Sequence, residues 1–427
     1  MGSRTIGQRA GHRRRAAGAL ATAVSIVGMS CLAATPAVAD DNTTLNSGEC
    51  KFGTDDIKET PWSLQRLLTT QMWEGKKYGQ GVKVAVIDSG VDTVNKQLHD
   101  AVGSGGETLI GKKGGGKPTV DQVGHGTKVA GIIAARPKRG SGFVGIAPGA
   151  TIIPFKNTDK EKGGTAESLA TLIRHAVDKK VDIINISQGT DAPEDQLTVL
   201  KNAIAYARQH MVLIVSSAGN GGADGGEKEM WPAAYSKEYD NVMAVAASDR
   251  NNERAPFSQS GDFVSIAAPG VDMVSTVPQG GNCVDLGTSF ASPYAAGAAA
   301  LLIAKHKNDR DGKWKPWEVI SHLEQTAERV KSGSDKFIGW GVVDPVAALN
   351  DNTRPTGPPQ ADKGNSNVGM RVEAAAVSLG ESPADRRIRM AIYIVGGALL
   401  AVGTVVGAAV ALRDWRRKTG IGTHGEA

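Results

Sequence analysis

Residues 286–305 read "LGTSFASPYAAGAAALLIAK". The small residues from 295 to 300, followed by Leu301, Leu302 and Ile303, predict a helix that can bury itself closely against neighbours. Pro293 is expected in its first turn, where backbone N–H groups have no intrahelical partner and a proline does no harm. Ser289 then falls at or near the helix N-terminus, where free N–H groups and the positive end of the dipole favour a developing negative charge. Two readings compete on this stretch alone. Ser and Thr are good helix caps, so Ser289 is either a cap or a residue that carries chemistry.

Upstream of this helix, short apolar runs recur: "VKVAVID" (82–88), "ATIIPF" (150–155), "VDIINIS" (181–187), "MVLIVSSAG" (211–219), "NVMAVAAS" (241–248) and "FVSIAAPG" (263–270). Helical patterns lie between several of them, at 125–135, 164–180 and 192–210. Buried strands alternating with helices predict an α/β fold, a mainly parallel sheet covered by helices on both faces. Active groups in such folds gather at the C-terminal ends of the strands. No internal repeat is visible.

The two ends of the chain carry other signals. Residues 1–39 hold Arg4, Arg9, Arg13, Arg14 and Arg15, then an apolar run, then "AVA" before Asp40, the three parts of a secretory signal peptide cleaved after Ala39. Residues 390–412 contain no charge, and as a helix of about 35 Å they exceed a hydrocarbon core of about 30 Å. One C-terminal transmembrane helix is therefore expected, with an exported N-terminal part and a cytoplasmic tail at 413–427. Residues 40–60 read as a polar N-terminal extension, 61–350 as the folded domain, and 351–385 as a Pro/Gly-rich linker.

Charge follows the same division. The formal net charge of +5 comes from the two ends, and residues 40–385 sum to −5, so the basic balance does not point to nucleic acid. Cys31 leaves with the signal. Only Cys50 and Cys283 remain, in an oxidising compartment, and one disulfide between them is expected.

Asp88 ends the first predicted strand, in "VIDSG"; by itself it reads as an Asp opening a turn. His125, in "GHG", is the one histidine held between two glycines, which let the backbone pass close to another segment. Asp, then His, then a Ser at a helix start is one of the chain orders in which an acid, a base and a nucleophile are assembled. A serine hydroxyl is too weak an acid to attack an amide unaided, so it needs an imidazole to take its proton and a carboxylate to orient that imidazole. "SSAGN" (216–220) ends a buried strand with Asn220, whose amide could complete an oxyanion hole with the Ser289 N–H.

These residues resemble the subtilisin-like serine proteases: "AVIDSGVD" around Asp88, "GHGTKVAGIIAA" around His125 and "GTSFASPYAAGAAALL" around Ser289. The resemblance covers about residues 61–349, including "IAPGA" (146–150) and "GWGVVDPVAAL" (339–349). It implies a serine endopeptidase with polypeptide substrates, working through an acyl-enzyme. It also implies that Ser187, Gln188 and Gly189 and the segment of Ser217, Ala218 and Gly219 flank the specificity pocket and pair with an extended substrate. Within the family the chain is most similar to the mycosins, membrane-anchored subtilases of type VII secretion in actinobacteria. Phe290 after the serine, the lead-in "ECKFGTDDIKETPWSLQRL" with Cys50, and a linker to one C-terminal span carry that likeness.

The mycosin likeness implies a type VII secretion membrane complex as partner. Mycosins often hold four ectodomain cysteines, and this chain has two after its signal. The extension is too short for a folded inhibitory propeptide and is expected to stay attached. No cofactor is expected, and no calcium-loop motif or other metal site is recognised. Two further functions stay open: a structural subunit that stabilises a secretion complex, and a general degradative surface protease.

Overall fold

Val, Ile and Ala dominate the strand interiors, because a strand buried on both faces leaves few places for a polar side chain, and charged residues stand at strand ends. The computed structural model describes residues 50–67, 72–73, 78–110, 116–160, 163–224, 227–329, 331–361 and 383–418. The proposed signal peptide, residues 40–49 of the extension, most of the linker and the end of the tail lie outside the described residues.

Seven parallel strands form one sheet in the order β2-β3-β1-β4-β5-β6-β7. They are β1 (Lys83–Asp88), β2 (Glu107–Thr108), β3 (Thr151–Lys156), β4 (Ile183–Ile186), β5 (Leu213–Ser217), β6 (Val242–Ser248) and β7 (Ile266–Pro269). A two-stranded antiparallel hairpin, β8 (Met273–Thr276) and β9 (Asn282–Asp285), follows. The helices are α1 (Trp62–Gln65), α2 (Lys96–His99), α3 (His125–Ala134), α4 (Ala166–Asp178), α5 (Thr198–Gln209), α6 (Thr288–Lys305), α7 (Pro316–Gln325), α8 (Pro345–Asn350) and α9 (Pro383–Lys418).

Alternation along the strands sends side chains into two cores. Val84, Val86, Ile183 and Val215 face the core that holds α3 and α6, whereas Ala85, Ile87, Ile184 and Ile214 face the core under α4 and α5. Truncating a fully buried side chain such as Leu302 to Ala would cost about 2–5 kcal/mol through lost transfer energy and a residual cavity. The chain leaves β1 for β3 on one side and later returns to β4 on the other. That reversal opens a crevice at the C-terminal end of β1, the usual place for a site in such a sheet.

Helix α6 departs from the expectation in one respect. It begins at Thr288, with Gly287 as the residue that caps it, so Pro293 sits in the second turn rather than the first. The missing proline N–H would have bonded the Ser289 carbonyl. Ser187 Oγ donates to that carbonyl instead, at 2.9 Å. Ser187 thus satisfies from another element the acceptor that the proline leaves open.

Cys50 and Cys283 form a disulfide, with Cα atoms 5.9 Å apart, that ties the extension to β9. From there the extension runs across the hairpin: Gly53 N–H donates to Pro278 O at 3.0 Å, and Gly142 N–H donates to Ile57 O at 2.8 Å. Helix α9 belongs to a separate compact unit. Its stretch Arg387–Lys418, within which an 18-residue window has a mean hydropathy of 2.2, is long and apolar enough to cross a membrane and contains the predicted span.

Candidate active site

Asp88 ends β1 and is 1% exposed, because the sheet buries the strand up to its last residue. Its Oδ1 accepts from Ser89 N–H at 2.7 Å and pairs with His125 Nδ1 at 2.8 Å. His125 opens α3, and Gly126 after it is required by close approach: a β-carbon there would lie 2.1 Å from Gly90 O and 3.0 Å from Asp88 Cβ. Burial, the largest influence on the imidazole, disfavours its charged form. The charge and hydrogen bond of Asp88, helped by Asp121 and opposed by Lys128, outweigh burial and hold His125 above its ordinary pKa.

Asp121, which the sequence did not single out, organises the His125 turn. Its Oδ1 accepts from Ser89 Oγ at 2.9 Å, Val123 N–H at 3.1 Å and Gly124 N–H at 2.8 Å. Its Oδ2 accepts from Thr127 N–H at 2.9 Å and Thr127 Oγ1 at 2.6 Å. Ser89 Oγ in turn accepts from Gly126 N–H at 2.9 Å. A buried carboxylate saturated by donors from both sides of His125 leaves that backbone one conformation. An Asp four residues before a His carries no signal of its own, since Asp in a turn is commonplace.

Ser289 is the second residue of α6. Its hydroxyl donates to Ser187 O at 3.1 Å, and no hydrogen bond joins it to His125 among the described residues. The Phe290 ring lies 5.5 Å from the imidazole, so the two helix starts meet. Such bonds are often long without substrate.

Asn220 follows β5. Its Oδ1 accepts from Thr288 N–H at 2.9 Å and Thr288 Oγ1 at 2.8 Å. A backbone N–H needs an acceptor, which orients the amide and turns Nδ2 the other way. A point one bond from the Gly287 Cα, where a β-carbon would stand, is 3.4 Å from Asn220 Nδ2 and 3.6 Å from Ser289 N. The two nitrogens therefore lie close to one point at the start of α6.

The residues expected to line a pocket divide by role. Ser187 turns its hydroxyl inward, to Ser289 O and to Ser292 Oγ at 3.0 Å, and presents only its carbonyl to the Ser289 hydroxyl. Gln188 and Gly189 make no backbone hydrogen bond among the described residues, which leaves an edge on which an extended peptide could pair. A cavity of about 250 Å³ lies beside this edge, lined by Leu169, Gln188, Leu197 and Trp231 among others. Ser217 and Ala218 are buried in continuation of β5, and Gly219 is partly exposed. No cluster of three potential metal ligands occurs among the described residues.

Residues 79–341 match the model of the Subtilase family. Subtilisin Savinase of Lederbergia lenta is 36% identical over 292 residues, which cover 68% of this chain and 99% of that protein. The Thermophilic serine proteinase of Bacillus sp. (strain AK1) is 34% identical over 285 residues, 67% of this chain and 66% of that protein, so this chain spans about two thirds of it. Among solved structures, the MycP3 protease from the type VII (ESX-3) secretion system is similar at 29% identity and a TM-score of 0.58, over 69% of this chain and 91% of that one. The chain belongs to the subtilase family and is a subtilisin-like serine endopeptidase.

Proposed function

We propose that this subtilase cleaves exported polypeptides through an acyl-enzyme, with Ser289 as nucleophile, His125 as general base and acid, and Asp88 as the orienting carboxylate. The observation that carries the reading is the Asp88–His125 pair at the end of β1 together with Ser289 N and Asn220 Nδ2, both near one point at the start of α6. Ser289 Oγ bonds to the scissile carbonyl carbon as its proton passes to His125 Nε2, and the carbonyl electrons move to an oxyanion held by those two donors. Collapse breaks the C–N bond while His125 returns the proton to the leaving amine. Water, deprotonated by His125, then releases the acyl group. Gln188 and Gly189 hold the substrate backbone extended, with the segment of Ser217, Ala218 and Gly219 on the opposite side.

The reading extends to location. A signal peptide at 1–39 would export the chain and a span at 390–412 would anchor it in the cell membrane, with residues 61–350 as an extracytoplasmic peptidase domain, 351–385 as linker and 413–427 in the cytoplasm. The likeness to a protease of a type VII secretion system supports work beside such a complex. A second reading, a structural subunit of that complex, is favoured by the permanent anchor that α9 would provide.

A fluorophosphonate probe should label Ser289 in the wild type and leave Ser289→Ala unlabelled. Equal labelling would remove Ser289 as nucleophile. In a null strain, Ser289→Ala should restore assembly but not substrate processing, and a chain ending at Asp385 should be released in soluble, active form and fail to restore secretion. Full restoration by that soluble chain would reject the structural role and leave a protease acting at a distance.

A further inference from the structure

Gly189 and Gly219 stand on the two segments that flank the substrate, and a single side chain lies against both. A β-carbon at Gly219 would fall 2.6 Å from Met230 Cγ, 3.4 Å from its Cβ and 3.5 Å from its Cε; one at Gly189 would fall 3.4 Å from the same Cε. The thioether therefore crosses from one wall to the other. Glycines normally leave such a gap open for a ligand's side chain. Here the protein fills it.

We propose that Met230 closes the side-chain pocket beside Ser289, so that the enzyme accepts Ala, Gly or Ser as the residue before the scissile bond and rejects long and aromatic residues. The proposal rests on Ser289 as nucleophile and on the two flanking segments as the pocket walls.

The root of Met230 is held in place. Trp231 N–H donates to Thr190 O at 2.8 Å, Thr190 N–H donates to Trp231 O at 3.0 Å, and Ala234 N–H donates to Met230 O at 2.8 Å. Trp231 is 5% exposed and packs on Tyr235 with ring centroids 4.3 Å apart. Rotation about the outer bonds of Met230 can move its methyl group, but the held backbone keeps Cβ against the Gly219 wall. Met is an adaptable apolar side chain, so an alanine-sized residue needs only a shift of its outer atoms, whereas a Leu or Phe would need Cγ to leave the Gly219 wall. A thioether carries no charge, and so it offers no partner to a Lys or Arg side chain.

The test uses the full chain in detergent and peptide p-nitroanilides that differ only in the residue before the scissile amide: Gly, Ala, Ser, Leu, Phe or Lys. Wild type should favour Ala over Leu and Phe by about tenfold or more in kcat/KM, the scale on which a filled pocket excludes extra methylenes. Met230→Gly should raise the Phe-to-Ala ratio by about tenfold or more, with Met230→Ala between the two. Fluorophosphonate labelling of Ser289 is followed in each protein. A wild type that labels and prefers Phe, Leu or Lys overturns the proposal, as does a labelled Met230→Gly with an unchanged ranking. If neither variant folds, the wild-type ranking alone decides. A wild type that cleaves but is not labelled at Ser289 overturns the nucleophile assignment and this proposal with it.

Discussion

On the His125 side both oxygens of Asp121 are taken by protein donors, whereas on the Ser289 side the Ser289 N–H, Asn220 Nδ2 and the backbone at Gln188 and Gly189 have no protein acceptor or partner among the described residues. The two halves stand at the ends of neighbouring parallel strands, so the fold does not by itself explain the contrast. Task does. A base must keep one tautomer and one orientation before substrate arrives, and a saturated buried network achieves that. A hole for an oxyanion must keep its donors free, and partly exposed groups can do so because water satisfies them until the substrate does.

The contrast predicts a graded series of losses. Asp88→Asn should have the largest effect, about 10⁴ in kcat, because the imidazole loses the partner that sets its tautomer. It should also move the acid limb of kcat/KM. In wild type the limb is expected above pH 6.5, since Asp88 outweighs burial and holds His125 up, and without that charge burial should bring it below. Since the folded-state value is the raised one, the His125 pairing adds stability in full below pH 6.5, and that stability is lost as pH rises through the folded pKa. A pH profile of the mutant with an unmoved acid limb would contradict the pairing as the source.

Asn220→Ala tests the open half. A fall of about 10² to 10³ in kcat with little change in KM is expected, because the donor acts on charge that exists only in the transition state. A loss below tenfold would take Asn220 out of the oxyanion hole. The two sides would then differ less than their hydrogen bonds suggest.

Asp121→Asn probes whether saturation itself matters. Asn keeps one acceptor oxygen but cannot accept all five bonds, so His125 should lose alignment, at about ten- to a hundredfold in kcat/KM. The acid limb should also shift to lower pH, because Asp121 contributes to the raised His125 pKa. A mutant that only unfolds more easily, with an unshifted limb, would reduce Asp121 to scaffolding. Cys50→Ser should change activity least: loss of the bond to Cys283 should lower stability by about 2–4 kcal/mol and leave kcat nearly unchanged, as denaturant melts beside kinetic assays would report. A tenfold fall in kcat would mean that the extension also shapes the His125 loop, against which Phe52 packs at Gly124.

Much of the fold is legible in the sequence. Each of the six apolar runs contains a strand of the sheet, and each helical pattern contains a helix, with ends moved by a few residues. The hairpin of β8 and β9, the short β2 and helices α1, α2, α7 and α8 are not expected from the sequence: most are only a few residues long, and α7 buries Glu318, Ser321, His322 and Glu324 among its apolar residues, which masks its pattern. The predicted disulfide is present, since two cysteines in one compartment leave little choice.

The sequence by itself determined the chemical types and their order: Asp88 at a strand end, His125 between glycines, Asn220 after a strand and Ser289 at the start of a buried helix. Those properties are local, expressed in periodicity and in glycine positions. Only the tertiary structure decided that Asp121 holds the His125 turn, that Ser187 satisfies the carbonyl left open by Pro293, and that Met230 reaches both Gly189 and Gly219. Each of these depends on atoms from segments that meet only after the sheet is assembled. A buried polar group must find a partner and a gap must be filled, but which residue answers is set by the three-dimensional path of the chain.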